Sequence, residues 1–277
     1  MFGGAGWTGV ELVARLVARG YDVAAPARAE ADVAERAQVA AWTERVRPHV
    51  VFDLTGRHPG SSADEMERVN AHGARVVAEE AARVGARLVH VSTDVVLDGR
   101  APPYADDAEQ APLNDYGRTK AAGERAALAV HPDAVAVRTS LIWDPRAVDR
   151  GTAGFAARLA RGEPCPLFTD EIRCPVLRAS LAEALVRLAE VEVRGTLNVA
   201  GDEALSRHAF GLLCLRHFGV AGVERVTATR AADLEAAGGA LRPRDVTLDV
   251  SRAKHLLGLA LPGPTRVLAA WPATPHP

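Results

Sequence analysis

Tyr116 and Lys120 stand four residues apart in the segment NDYGRTKAAGER, in a chain with only three tyrosines and two lysines. Residues at this spacing share one face of a helix, so the ammonium group would lie beside the phenol. A nearby positive charge lowers the pKa of a phenol, which is about 10 in water. A phenol tuned toward neutrality can protonate a developing alkoxide. The spacing therefore predicts an acid–base tyrosine whose pKa is lowered by Lys120.

Thr93 follows the apolar run RLVHVS, which predicts a buried strand. Parallel sheets bind ligands just beyond the carboxyl ends of their strands, which is where this hydroxyl would stand. Thr93, Tyr116 and Lys120 are therefore the predicted catalytic set, with Thr93 donating a hydrogen bond to a substrate carbonyl. The alternative is a capping threonine with a tyrosine and a lysine on a helix surface.

Residues 3–9 read GGAGWTG and fit both the G-x-G-x-x-G and the G-x-x-G-x-x-G patterns. Glycines there let the backbone approach a pyrophosphate, whose charge is met by the N-terminus of the following helix. The loop predicts a dinucleotide site, with a plain tight turn as the alternative. Its predicted cofactor contacts are Gly3, Gly6, Trp7, Thr8 and Gly9.

Only Met1 and Phe2 precede the glycine loop, where the first strand of a dinucleotide-binding domain would stand. A missing central strand would leave backbone groups of its neighbours without partners. We therefore expect that the start of the chain is truncated or misassigned.

Arg28 ends the segment YDVAAPAR, which we interpret as a strand. NAD sites usually carry an acid at this point, whereas an arginine pairs with the 2′-phosphate of NADP. The predicted cofactor is therefore NADP(H), with NAD(H) as the second choice. Asp32 is expected beside the adenosine, although a helix N-cap is an equally good interpretation.

Short apolar runs alternate with helical patterns as far as Trp143, which predicts a parallel sheet with helices on both faces. The expected fold is a Rossmann-like, doubly wound α/β fold. Residues 1–143 would form the dinucleotide-binding domain, which also receives the helix and strand of about 176–200. Residues 144–175 and 201–277 would form a smaller substrate-binding region.

The composition, with 48% hydrophobic and 25% charged residues, is that of an ordinary globular protein. A net charge of −2 provides no electrostatic attraction to nucleic acid or to an anionic membrane. The sequence shows no secretion signal and no long apolar span, and its three cysteines lack metal-type spacing. We predict a cytoplasmic location, with no metal site and no nucleic-acid or membrane partner.

The chain resembles the extended short-chain dehydrogenase/reductase family, and within it the dTDP-4-dehydrorhamnose reductase branch. Four segments carry the resemblance: GGAGWTG, VHVSTDVVLDG, PYADDAEQAPLNDYGRTKAAGE and LRPRDVTLDVSRAKHLLG. It implies an NAD(P)H-dependent reductase of a nucleotide-linked keto sugar. By this resemblance Tyr116 is the general acid, and Lys120 also holds the nicotinamide ribose. Since some members form dimers, a homodimer is the expected assembly.

The resemblance also implies further contacts in the two halves of the site. Those with the cofactor are Leu54, Thr55, Gly56 and Asn70, and those with the substrate include Asp94 and Arg242. For Asn70, a helix-surface or backbone-bonding role is the alternative. Three departures affect the sugar side: Val95 replaces a common tyrosine, Arg57 and His58 replace a Tyr-Thr pair, and RTSLIWDP replaces RTSWVYG. Arg57, His58 and Val95 are therefore predicted substrate contacts in an altered pocket that accepts a more polar or anionic group. Exposure of Arg57 and His58 in a solvent loop is the alternative.

Two other functions remain open at this point. One is an epimerase or dehydratase of the same superfamily, although Val95 stands where dehydratases place a second carboxylate after Asp94. The other is a non-catalytic, dinucleotide-binding subunit similar to the regulatory subunit of methionine adenosyltransferase.

Overall fold

The computed structural model describes residues 1–271, which contain ten strands. They are β1 (Val50–Asp53), β2 (Arg87–Val91), β3 (Val135–Arg138), β4 (Ile142–Trp143), β5 (Cys165–Phe168), β6 (Ile172–Arg173), β7 (Val176–Leu177), β8 (Gly195–Asn198), β9 (Leu205–Ser206) and β10 (Val226–Thr229). Strands β1, β2, β3 and β8 form one parallel sheet in the order β1-β2-β3-β8. Parallel neighbours need a crossover, which a helix supplies in each case.

The eleven α-helices of this part of the chain surround the sheet and build the region after it. They are α1 (Trp7–Ala18), α2 (Arg36–Val46), α3 (Ala63–Met66), α4 (Ala74–Arg83), α5 (Asp115–Val130), α6 (Arg150–Ala160), α7 (Arg178–Glu190), α8 (Arg207–His217), α9 (Ala231–Ala236), α10 (Ser251–Leu257) and α11 (Pro264–Ala269). A π-helical segment, Glu67–Gly73, joins α3 to α4. None of the helices described here has the length and apolar character needed to cross a membrane.

Apolar side chains alternate between the two faces of the sheet. Phe52 and Val89 enter the core that contains residues of α1 and α7, whereas Val51 and Leu88 enter the core that contains residues of α2 and α4. Helices therefore cover both faces, since each strand buries successive side chains in opposite directions. The predicted doubly wound α/β fold is confirmed.

The backbone beside β1 is completed by the first residues of the chain. The Phe2 amide donates to the Phe52 carbonyl at 2.9 Å, and the Leu54 amide donates to the Phe2 carbonyl at 3.1 Å. The Met1 ammonium donates to the Ala24 carbonyl at 2.7 Å. Residues 21–28 form no strand, so our prediction of one there is wrong. A strand needs a continuous run of backbone hydrogen bonds with a neighbour, and residues 21–28 form no such run in the described part of the chain.

Helix α5 packs very closely on the π-helical segment. A Cβ added at Gly123 would lie 2.0 Å from the Asn70 carbonyl oxygen, so only glycine permits this distance between the two backbones. The contact places the first turns of α5, with Tyr116 and Lys120, against the loop that follows β1.

The residues after β3 build three two-stranded sheets: β4 with β7, β5 with β10, and β6 with β9. Two small apolar clusters support them, one around Trp143 and Phe210 and the other around Leu159 and Leu215. Helices α6 and α8 pack together there, so their N-terminal residues Arg150 and Arg207 reach one wall of a cleft.

Candidate active site

A cleft of about 1010 Å³ opens at the carboxyl ends of β1, β2 and β3. The glycine loop and the segments after β1 and β2 form one side, and residues of α6, α8 and the β6 region form the other. The predicted site residues that line it are Gly3, Gly6, Trp7, Thr8, Gly9, Arg28, Asp32, Leu54, Thr55, Gly56, Arg57, His58, Thr93, Asp94, Val95, Tyr116, Lys120 and Arg242. The fold therefore brings together side chains from nearly the whole chain.

The glycine loop leads into α1, which begins at the cleft without a side-chain cap. The N-terminal amides of an uncapped helix are free to bind an anion. A Cβ at Gly9 would lie 2.2 Å from the Gly3 carbonyl oxygen and 2.8 Å from the Gly4 backbone, so the loop is folded onto itself too tightly for any side chain there. An uncapped helix end behind such a turn fits the pyrophosphate of a dinucleotide.

We expect Gly9→Ala to weaken dinucleotide binding about tenfold or more, because the new methyl group must displace the loop backbone. Equilibrium binding of NADPH to the purified variant measures this. Gly154→Ala is the matched control, since Gly154 lies in α6 with nothing within 4 Å of an added Cβ. Wild-type affinity in Gly9→Ala would contradict a close approach between the loop and the cofactor.

Tyr116 lies at the start of α5 and faces the cleft beside Thr93. The pKa of Tyr116 is raised to about 12, mainly by burial and to a smaller extent by the nearby Asp94 carboxylate, and a hydrogen bond with the Thr93 hydroxyl opposes the rise. Our expectation of a lowered pKa for Tyr116 is wrong, since desolvation of the phenolate outweighs the influences that lower the pKa. The phenol therefore keeps its proton at neutral pH.

Lys120 is buried one helical turn after Tyr116. Its ammonium donates to the Val91 carbonyl at 2.7 Å, at the end of β2. Burial lowers the pKa of Lys120, and the charges of Asp53 and Glu124 oppose that change. The Lys120 ammonium thus lies between the end of β2 and the cleft, and the negative charges of two carboxylates stabilise its protonated form.

Asp53 ends β1 and is fully buried. Its carboxylate is 2.9 Å from Nδ1 of His90, and it accepts hydrogen bonds from the Thr55 amide at 3.0 Å and the Thr55 hydroxyl at 2.6 Å. Burial alone would raise the pKa of Asp53, but the hydrogen bonds with His90 and Thr55 hold it below its ordinary value. Asp53 therefore fixes the start of the loop that carries Leu54, Thr55 and Gly56.

Asn70 differs from its predicted position as a cofactor contact. It is buried and does not line the cleft. Its side-chain oxygen accepts from the Arg57 amide at 2.7 Å, and its side-chain nitrogen donates to the Arg57 carbonyl and the Thr119 hydroxyl, each at 3.0 Å. All of these partners belong to the protein, so Asn70 holds the loop after β1 against α5.

His58 and Arg57 both line the cleft, and His58 lies beside Tyr116. The His58 ring centroid is 6.2 Å from that of Tyr116. Desolvation, together with the charges of Arg150 and Lys120, lowers the pKa of His58 below 6.5, so its ring is neutral at neutral pH. The Arg57 guanidinium lies 2.7 Å from the Glu65 carboxylate. A histidine and an arginine thus line the cleft near Tyr116 and the loop after β1.

Asp94 is buried and lines the cleft next to Thr93. It accepts hydrogen bonds from the Ser140 hydroxyl at 2.6 Å and the Thr93 hydroxyl at 3.3 Å, and the Arg173 guanidinium lies 3.9 Å away. Burial raises the pKa of Asp94, while Arg173 and Ser140 oppose the rise. These contacts make Asp94 a support for the Thr93 hydroxyl.

Positive side chains dominate the far wall of the cleft. Arg242, predicted from the sequence, lies 3.3 Å from Glu171, which also pairs with Arg173 at 3.0 Å. Arg150 and Arg207 line the same wall, and neither makes an ion pair with any residue of 1–271. Nothing in the sequence pattern marks these two arginines, because only the packing of α6 on α8 brings them to the cleft.

Arg28 and Asp32 lie together on the wall beside the glycine loop, with Arg28 Nε 3.2 Å from Asp32 Oδ2. A second arginine that the sequence pattern does not mark, Arg68, donates to the same oxygen at 3.0 Å. Within residues 1–271, no group of three or more His, Cys, Asp or Glu side chains is placed to hold a metal ion.

The chain is similar to known proteins in both sequence and structure. The family model described as "RmlD substrate binding domain" matches residues 1–270. The chain belongs to this family. The resemblance found in the sequence is thereby confirmed. The relatives described next are similar to this chain over most of their own length.

Two curated relatives and one solved structure illustrate this similarity. The dTDP-4-dehydrorhamnose reductase of Mycobacterium tuberculosis (strain ATCC 25618 / H37Rv) is 35% identical over 74% of this chain and 70% of its own length. The dTDP-4-keto-6-deoxy-D-glucose reductase of Streptomyces niveus is 32% identical over 89% of this chain and 86% of its own. The dTDP-4-dehydrorhamnose reductase of Bacillus anthracis, solved in complex with NADP, has a TM-score of 0.83 at 25% identity and covers 96% of this chain and 94% of its own.

Proposed function

We propose that the protein is an NAD(P)H-dependent reductase of a nucleotide-linked keto sugar. The observation that carries the proposal is the meeting of Thr93, Tyr116 and Lys120 in the cleft that the glycine loop opens. Relatives that bear the name of dTDP-sugar reductases, one of them solved with NADP, support the same chemistry. NADP(H) is the proposed cofactor, with NAD(H) as the second.

The reduction adds a hydride to a keto carbon and a proton to its oxygen. The bound dinucleotide supplies the hydride. Tyr116 supplies the proton, and its raised pKa ensures that the phenol is protonated before the reaction. Thr93 donates a hydrogen bond to the same oxygen, and the Lys120 ammonium stabilises the tyrosinate that remains until solvent returns a proton.

We assign the substrate to the side of the cleft formed by residues 144–175 and 201–277, which we propose as the substrate-binding region. A nucleotide sugar carries a diphosphate, and guanidinium groups suit phosphate oxygens. Arg150, Arg207 and Arg242 provide such groups on that wall. We further propose a cytoplasmic homodimer as the working form of the protein.

The two alternative functions receive less support from the site. Elimination by a dehydratase needs a free carboxylate next to the catalytic threonine, but Asp94 is hydrogen-bonded to Ser140 and is followed by the apolar Val95. A purely regulatory subunit has no need of a catalytic set, whereas Thr93, Tyr116 and Lys120 line one cleft here.

Oxidation of NADPH by the purified protein in the presence of dTDP-4-keto-6-deoxy sugars tests the proposal. We expect a decrease in NADPH absorbance that depends on the sugar, with appearance of the reduced nucleotide sugar. Tight NADPH binding without turnover of any keto sugar, together with copurification of a larger enzyme, would support the regulatory alternative instead.

The double variant Arg57→Ala/His58→Ala tests the altered rim of the sugar side. We expect KM for the keto sugar to rise about tenfold, because both side chains line the cleft and His58 lies beside Tyr116. The Kd for NADPH should change less than twofold. Equal effects on both ligands, or none on either, would contradict a substrate role for this pair.

A further inference from the structure

Two guanidinium groups share one carboxylate oxygen on the wall beside the glycine loop. Asp32 Oδ2 is 3.2 Å from Arg28 Nε and 3.0 Å from Arg68 Nη2. The other oxygen, Oδ1, accepts a hydrogen bond from the Ala34 amide at 3.0 Å. These bonds hold the pKa of Asp32 below its ordinary value against the opposing effect of burial, so Asp32 is charged at neutral pH.

The two arginines differ in their relation to the cleft. Arg28 lines it and is 56% exposed, so its side chain is free to turn toward a ligand. Arg68 does not line it, since it lies on the π-helical segment behind Asp32 and also pairs with Glu35 at 3.2 Å. A ligand in the cleft would therefore meet Arg28 and Asp32 directly and Arg68 only through Asp32.

We propose that Arg68 determines the choice between NADPH and NADH. When Arg28 turns away from Asp32 to bind the 2′-phosphate, Arg68 remains paired with the Asp32 carboxylate and neutralises its charge. The inference rests on the proposed function, because it assumes that the adenosine lies on this wall. If Arg68 were absent, an unpaired Asp32 would both repel the phosphate and retain Arg28. Arg68 is thus a positioning residue that acts through Asp32.

NADH would interact differently with Arg28, Asp32 and Arg68, because it has no 2′-phosphate. Its 2′-hydroxyl can donate to Asp32, so Arg28 need not move and the carboxylate remains useful as an acceptor. Arg68 should therefore affect NADPH binding strongly and NADH binding little. The side chains of Arg28 and Arg68 are both more than one-third exposed, so water screens their charges. The expected loss of NADPH affinity without Arg68 is therefore about three- to tenfold.

Calorimetric Kd values for NADPH and NADH test this with purified wild-type protein and three variants. Arg68→Ala should weaken NADPH three- to tenfold and leave NADH within twofold, and Arg68→Lys should restore most of the NADPH affinity because it retains the charge. Arg75→Ala is the matched control: Arg75 is exposed in α4, seven residues along the same helical stretch, and makes no ion pair with residues of 1–271. Its two Kd values should equal those of the wild type.

A comparison with double variants tests whether Arg68 acts on NADPH binding through Asp32. Asp32→Asn removes the charge that Arg68 neutralises, so adding Arg68→Ala to it should leave the Kd for NADPH unchanged. Asp32→Asn alone should weaken NADH binding, because the 2′-hydroxyl then donates to a neutral amide oxygen in place of a charged carboxylate. An equal loss of both cofactors in Arg68→Ala, no loss of either, or an undiminished loss in the Asp32→Asn background would each overturn the inference. A wild-type protein that binds neither cofactor would overturn the proposed function and the inference with it.

Discussion

Tyr116→Phe is expected to lower kcat for keto-sugar reduction by about 10²–10⁴-fold, the usual contribution of a positioned general acid. Phenylalanine keeps the ring beside His58 but removes the phenolic hydroxyl that donates a proton to the new alkoxide. The Kd for NADPH should stay within about twofold, since the glycine loop and the wall beside it are untouched. Stopped-flow oxidation of NADPH and a separate binding titration measure the two quantities.

The same variant also tests the state of the phenol. An alkaline ultraviolet titration of the wild type minus that of Tyr116→Phe isolates the ionisation of Tyr116, and we expect its midpoint near the raised pKa of about 12. A midpoint below 10 in the protein without ligands would instead support the original prediction that Lys120 lowers the pKa. Full activity in Tyr116→Phe would show that another group provides the proton.

Glu124→Gln is expected to destabilise the protein by about 3–5 kcal/mol, because it leaves a buried cation without its charge partner. Arg138 donates to Glu124 through Nε at 3.1 Å and Nη2 at 2.8 Å, and both side chains are less than 5% exposed. The Ser92 hydroxyl donates to the same carboxylate at 2.6 Å. Urea unfolding at pH 7 measures the loss as a lower midpoint.

The loss of stability in Glu124→Gln is expected to become smaller as the pH falls. Burial alone would raise the pKa of Glu124, but the hydrogen bonds and charge of Arg138 lower it below 4.5. The carboxylate therefore contributes its stability above pH 4.5, and this contribution is lost as the pH falls through the lowered value. The difference between wild type and Glu124→Gln should thus be largest at neutral pH and shrink in acid.

A surface carboxylate provides the control for Glu124. Glu163 pairs with Arg161 at 2.7 Å and its side chain is 40% exposed, so Glu163→Gln should leave the urea midpoint unchanged. A loss in Glu124→Gln no larger than in Glu163→Gln would show that water or another acceptor satisfies Arg138. In the folded protein, Arg138 also donates to the Ala108 carbonyl at 2.8 Å, so the ion pair anchors the segment that leads to α5.

Local patterns in the sequence were sufficient to predict most of the fold and the position of the site. The sheet strands β1, β2, β3 and β8 all coincide with short apolar runs, since burial on both faces requires apolar residues at successive positions. The strand predicted at residues 21–28 is absent, because a strand depends on a neighbour that local propensity does not describe. The π-helical segment before α4 also follows from packing, where Gly123 meets Asn70.

The sequence by itself determined which groups could do chemistry: the i, i+4 spacing of Tyr116 and Lys120 and the tight glycine loop depend only on neighbours along the chain. Tertiary structure alone decided the electrostatics. Burial turned the expected fall in the pKa of Tyr116 into a rise, because the cost of desolvating a phenolate depends on everything packed around it. The convergence of Arg150 with Arg207, and of Arg68 with Asp32, joins residues more than thirty positions apart, and no local pattern encodes such distances.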